Sequence, residues 1–190
     1  MRKLFDFIKR HSWIWVLIIV LIAVIGDSLL SSQQKTSPSP TPIPQKATFK
    51  DVVPGISNES DLNKVLGTPI KSTTNNGVTT DEYKSASPVR KSIGIIENGK
   101  VSLIKQIIGS SENITADSVT NIYGKAPEIL YSKAPNSVFR LYVYPSNGIA
   151  YLGHSDGTLL EIWYFVPTSI ENFMTQWGQD YQTTQPEPVQ

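Results

Sequence analysis

Two stretches of this 190-residue chain repeat each other at a spacing of 57 residues, and an internal repeat restricts the possible folds more than any composition does. Ser60-Asp61-Leu62-Asn63-Lys64-Val65-Leu66-Gly67-Thr68-Pro69 matches Asp117-Ser118-Val119-Thr120-Asn121-Ile122-Tyr123-Gly124-Lys125-Ala126-Pro127, with Leu62 on Val119, Val65 on Ile122 and Gly67 on Gly124. In both, polar residues open the segment, apolar residues recur three and four apart, a glycine stops it and a proline follows. That is the start and stop grammar of a short helix.

The correspondence continues downstream. Asn98-Gly99 lies 31 residues after Gly67, and Asp156-Gly157 lies 32 after Gly124. Both dipeptides suit the positive φ angles of a type I′ hairpin. The first is flanked by β-rich runs at Val89 to Glu97 and Lys100 to Ile108, the second by Ile149 to His154 and Thr158 to Val166. A further strand precedes each hairpin, near Thr80 to Ser85 and Val138 to Tyr144. One copy alone buries too little apolar surface to stand by itself, so the two should share a core or a sheet. After Val166-Pro167, a capping-box pattern leads into Phe173, Met174, Trp177 and Tyr181 at helical spacing. The expected fold is α+β: two tandem copies of a short helix followed by a three-stranded antiparallel meander, with a C-terminal amphipathic helix, all behind an N-terminal transmembrane helix.

The membrane segment rests on its own evidence. Arg2, Lys3, Lys9 and Arg10 precede an apolar run from Trp13 to Ile25 that Leu29 and Leu30 extend. At the usual helical rise, Trp13 to Leu30 spans about 27 Å, close to the hydrocarbon thickness of a bilayer. Ala23-Val24-Ile25 and its neighbours lack the small residues of a signal-peptidase site, so the segment reads as a retained anchor. The cations ahead of it place the amino terminus in the cytoplasm. Proline at every second position from Pro38 to Pro44 then favours an extended stalk. The expected organisation is a cytoplasmic basic flank at 1–12, an anchor at 13–30, a Pro/Ser/Thr-rich stalk at 31–47, repeats at 48–110 and 111–181, and a loose tail at 182–190. The chain is therefore expected in the cell membrane, single-pass, with its C-terminal domain outside.

Composition narrows the chemistry. A formal charge of +1 leaves no basic stripe for nucleic acid, and zero cysteines remove thiolate, disulfide and iron–sulfur chemistry. The external domain holds one histidine, His154, and no metal-ligand spacing, so neither cofactor nor metal is expected. Gly153-His154-Ser155-Asp156-Gly157 gathers histidine, serine and aspartate, but consecutive residues at a hairpin tip do not make a triad, and the stretch reads as a turn.

Aromatic residues are the other asymmetry. The first copy has Phe49 and Tyr83, whereas the second has Tyr123, Tyr131, Phe139, Tyr142, Tyr144, Tyr151, Trp163, Tyr164 and Phe165. If Phe139, Leu141, Val143, Leu152, Leu160, Ile162, Tyr164 and Val166 face the core, strand alternation turns Arg140, Tyr142, Tyr144, Tyr151 and Trp163 outward as one patch. Those residue types are favoured at binding hot spots. The C-terminal helix lying over that face is the competing arrangement.

Pro54-Gly55-Ile56-Ser57 leading into Asp61-Leu62-Asn63-Lys64-Val65-Leu66-Gly67-Thr68-Pro69, followed by a meander, resembles the module of the BamE (SmpA/OmlA) lipoproteins, and its tandem form resembles the β-lactamase inhibitory protein. The resemblance implies a non-catalytic protein-binding scaffold. The lipid-bearing cysteine of the BamE family is missing here, so that family's assembly role is not implied. The function expected is a membrane-anchored extracytoplasmic binding or accessory module of the bacterial cell envelope, not an enzyme. Its expected partners are the bilayer, through residues 13–30, and another envelope protein. The alternative is an envelope hydrolase or transferase using separated carboxylates such as Glu128, Glu161 and Glu171.

Overall fold

The structure, a computed structural model, describes residues 46–134 and 136–186. Its elements in chain order are α1 (Glu59–Leu66), β1 (Lys71–Asn75), β2 (Val78–Tyr83), β3 (Ser92–Glu97), β4 (Lys100–Ile107), α2 (Ala116–Tyr123), β5 (Glu128–Ser132), β6 (Arg140–Tyr144), β7 (Ile149–Gly153), β8 (Leu159–Phe165), α3 (Ile170–Gln176) and β9 (Tyr181–Gln182). The nine strands form one antiparallel sheet in the order β1-β2-β3-β4-β8-β7-β6-β5-β9.

The expected pair of three-stranded meanders is not what forms. Each of the first two helices is followed by four consecutive strands, and the two sets join through β4 and β8, Leu103 to Ile107 against Glu161 to Phe165. The strands missing from the sequence reading are β1, β5 and the short β9. Lys71-Ser72-Thr73-Thr74-Asn75 is exposed at every position, so it shows none of the alternation that marks a half-buried strand. Its hairpin does carry a signal, since Asn76 and Gly77 take φ of 51° and 80°, as Asn98 and Gly99 take 51° and 72°. The Asp156-Gly157 hairpin departs from the expected type. There only Gly157 has positive φ, its N–H donates to the His154 carbonyl at 3.1 Å, and β7 shifts register between Leu152 and Gly153.

The anchor expected at 13–30 lies outside the described residues. Among the described residues, no helix is long and apolar enough to cross a membrane.

The helices form where their ends are satisfied. Asn58 accepts from the Asp61 N–H and the Asp61 carboxylate accepts from the Asn58 N–H, both at 3.1 Å, which closes a capping box on α1. Gly67 and Gly124 end α1 and α2 at φ of 85° and 79°, donating their N–H groups to Asn63 and Thr120 carbonyls. Helices α1 and α2 lie on one face of the sheet. Leu62 of α1 packs with Phe49, Tyr83, Val101 and Ile104, and Val119 of α2 packs with Tyr144, Ile149, Tyr151 and Ile162. Helix α3 lies on the other face, where Phe173 is fully buried with Leu103, Leu141, Ala150, Trp163 and Phe165. Burying one such side chain contributes about 1.5–3 kcal/mol. The sheet of the second half is therefore a middle layer with apolar residues at both parities.

Candidate functional site

The five residues expected to form one outward patch divide between two faces. Strand register sets Tyr142 opposite Tyr151, Arg140 opposite Gly153 and Tyr144 opposite Ile149 on the α1/α2 face. Ala150 is opposite Trp163, which puts Trp163 on the α3 face with Val143 and Leu141. Trp163 is 2% exposed, its ring lies 6.1 Å from Phe173 and 6.0 Å from Tyr181, and its Nε1 donates to Glu161 at 2.6 Å. Tyr144 is 1% exposed beneath α2, and its hydroxyl donates to the Gly124 carbonyl at 2.7 Å. Tyr142 and Tyr151 stack on each other with centroids 4.6 Å apart. The parity argument fails at β8 for a plain reason: Leu159-Leu160-Glu161-Ile162-Trp163-Tyr164-Phe165 is apolar on both sides, so alternation does not say which side is inward. Ile162 and Tyr164, expected to share a face with Leu141 and Val143, lie on the opposite one.

Arg140 belongs to a different feature, a cavity of about 490 Å³ at the end of the second half. Its walls come from the end of β5 (Tyr131), the connection to β6 (Asn136, Ser137), the start of β6 (Arg140), the β7–β8 turn (His154) and the chain after β9 (Gln185). Arg140 is opposite Tyr131 in register, and its guanidinium carbon lies 5.5 Å from the Tyr131 ring centroid. His154 is held edge-on to Phe139 at 5.8 Å, and its Nδ1 accepts the Asp156 N–H at 3.2 Å. Asp156 in turn accepts the Thr158 N–H at 2.8 Å, which keeps its carboxyl below the usual range. No aspartate or glutamate is among the described residues that line this cavity. A smaller, apolar cavity of about 240 Å³ takes Tyr142 and Tyr151 together with Ile129 and the α2 end. The two cavities use successive positions of one sheet face, Ile129 then Tyr131 on β5 and Tyr142 then Arg140 on β6.

Of the carboxylates named for an enzymatic alternative, Glu161 is held by an ion pair with Arg90 and by the Trp163 indole, while Glu171 sits in the first turn of α3. Among the described residues, no group of three His, Asp or Glu side chains is placed to hold a metal. In the sequence His154 reads as a turn residue, and neither Asn136 nor Tyr131 carries a local signal that places it beside Arg140. Asn136 has φ of 58°, but nothing in its sequence neighbourhood says that its loop meets the His154 turn.

The arrangement defines a class: a broad antiparallel sheet with helices on both faces and a polar, small-molecule-sized cavity among the loops at one end. No family model matches the chain, and no curated protein matches it. Solved structures with some similarity include a DUF4309 family protein from Bacillus subtilis, with 13% identity and a TM-score of 0.43 over 65% of this chain and 88% of that one. A cysteine-rich secretory protein from Staphylococcus aureus has 10% identity and a TM-score of 0.43, over 74% of this chain and 52% of that one. An extracellular protein containing an SCP domain from Bacillus anthracis has 16% identity and a TM-score of 0.41, over 76% of this chain and 52% of that one. This chain thus spans about half the length of the last two.

Proposed function

We propose that this chain is a non-catalytic, extracytoplasmic binding module of the bacterial cell envelope, held at the membrane by residues 13–30, and that the cavity between Tyr131, Arg140 and His154 is where it takes its ligand. The observation that carries the reading is the cavity itself. At about 490 Å³ it lies within the range of small-molecule sites, and side chains from five segments converge on it. The buried positions of Tyr144 and Trp163 direct the reading to this cavity rather than to an open aromatic sheet face. A scaffold role of the kind implied by the BamE-like motif is compatible with it.

The test is photo-crosslinking in the cells that make the protein. Val138 lines the cavity and is 58% exposed, whereas Val89, in the β2–β3 connection of the other half, is 85% exposed. A photoreactive residue at position 138 of the full chain is expected to give an adduct that position 89 does not. Equal labelling from both positions, or none from 138, overturns the proposal.

A further inference from the structure

We infer that the ligand group bound in this cavity is an oxyanion, a carboxylate or a phosphate, with Arg140 as its principal donor and His154 as the second; the inference rests on the cavity being the binding site. Arg140 carries five N–H donors in a planar fork that matches two oxygens of either anion. Among the described residues its guanidinium makes no ion pair and no hydrogen bond, whereas Arg90 is tied to Glu161. It is nonetheless held in place. Its guanidinium lies on the Tyr131 ring, and its other cross-strand neighbour, Gly153, has no side chain to fill the space beside it. A cation positioned by an aromatic face and lacking a carboxylate is prepared for an anion that comes from outside.

His154 supplies the second donor through the geometry of its turn. Nδ1 lies 3.2 Å from the Asp156 N–H and 3.1 Å from the Asp156 Oδ1, so the turn serves either neutral tautomer, and a ring protonated on both nitrogens pairs Nδ1–H with Asp156 and keeps its Nε2–H. Nε2 has no partner among the described residues, so the protonated ring offers that N–H to an arriving anion. The remaining polar lining consists of hydroxyl and amide groups, including Ser137, Asn136 and Gln185; no carboxylate is among the described lining residues, and that of Asp156, 3.1 Å from His154 Nδ1, is engaged by the Thr158 N–H. A neutral ligand would desolvate Arg140 without pairing it, which is unfavourable.

The experiment is an amide NMR titration of the full chain in detergent micelles at constant ionic strength. The probes are inorganic phosphate, succinate and, as a neutral control, N-acetylglucosamine. The expected result is saturable shifts at residues 131–140 and 153–158 with phosphate or succinate; whichever binds more tightly identifies the kind of oxyanion. Arg140→Gln should weaken that binding by about tenfold, as removal of a charged hydrogen bond commonly does, and Arg140→Lys by less. The unperturbed amide spectrum of each variant verifies that it folds. Absence of saturation with either anion, or equal affinity in Arg140→Gln, overturns the inference. If N-acetylglucosamine alone saturates the cavity, the oxyanion assignment fails while the binding reading stands. Failure of all three probes together with no adduct from position 138 removes both.

Discussion

Lys105 on β4 and Trp163 on β8 are cross-strand partners, and the lysine ammonium lies 3.7 Å from the indole centroid. The pair sits on the seam where the two halves of the sheet join. Glu161 takes the indole N–H on one side and Arg90 on the other, so a residue from each half is tied to the same carboxylate. Burial lowers the Lys105 pKa, while Glu161 and then Asp180 oppose the shift. Carbon-13 NMR of the lysine Cε resonances should therefore show one lysine titrating below the others, and that signal should vanish in Lys105→Met. Because the folded value lies below the ordinary 10.5, the unfolded chain binds more protons in that window, and this group favours folding more as pH rises through it. A Lys105 that titrates with the exposed lysines contradicts the geometry.

Trp163 should be shielded from solvent. In a Trp13→Phe, Trp15→Phe, Trp177→Phe variant it is the sole remaining tryptophan of the four. Its fluorescence should resist iodide quenching, since only 2% of the residue is exposed. Quenching comparable to that of free tryptophan would show that α3 does not cover this face.

Alkaline pH should unfold the protein. Tyr164 and Tyr181 are pushed up to about 12 by burial, and burial raises Tyr83, Tyr123, Tyr144 and Tyr151 as well. A phenol with a raised folded pKa contributes stability that is complete below the ordinary value of 10 and is lost as pH climbs toward the folded value. The loss from six tyrosines outweighs the opposing gain from the one lysine. Phenolate absorbance should then rise together with loss of the circular dichroism signal, at a pH above 10. Independent, early ionisation of most tyrosines in a folded chain would refute this.

Gly94 is a packing requirement rather than a turn. A Cβ built there meets Leu62 Cδ2 at 2.5 Å and Tyr83 at 3.3 Å, because α1 rests directly on β3 at this point. Gly94→Val should overpack the interface and cost about 1–3 kcal/mol, lowering the melting temperature by several degrees. An unchanged melting temperature would mean that α1 sits farther from the sheet.

Asp81 is fully buried under α1; among the described residues its Oδ2 receives only the Tyr83 hydroxyl at 3.3 Å and its Oδ1 has no hydrogen-bond partner. The Tyr83 hydroxyl is itself drawn to Asn63 Oδ1 at 2.8 Å. A buried carboxylate with so little compensation is unfavourable, so Asp81→Asn should leave stability unchanged or raise it by about 1 kcal/mol. A loss of more than that in chemical denaturation would show that the charge has a partner.

Much of the local structure was readable from the residues. The helix at Glu59–Leu66 follows from its polar opening residues and Gly67 stop, its counterpart at Ala116–Tyr123 from the same pattern, and Asn98-Gly99 marks a hairpin that is present. Strand β1 was overlooked because five exposed polar residues give no periodicity, although Asn76-Gly77 flagged the turn that closes it. Of the cavity, Arg140 was singled out and His154 was noticed. Their neighbours Tyr131, Asn136 and Gln185 were not, because Tyr131 owes its place to a strand with no periodic signal that pairs with β6, and Asn136 and Gln185 to a loop and a tail that return from elsewhere in the chain.

By itself the sequence determined the elements whose cause is local: capped helices, glycine-closed hairpins, the 57-residue repeat, and the exclusion of cysteine chemistry. Only the tertiary structure decided that the two halves join through β4 and β8 into one sheet, and that Tyr151 and Trp163 face opposite ways. The physical reason is that a strand covered on both faces is apolar at both parities. Its orientation is then set by which helix packs on which side, and that choice is made between residues far apart in the chain.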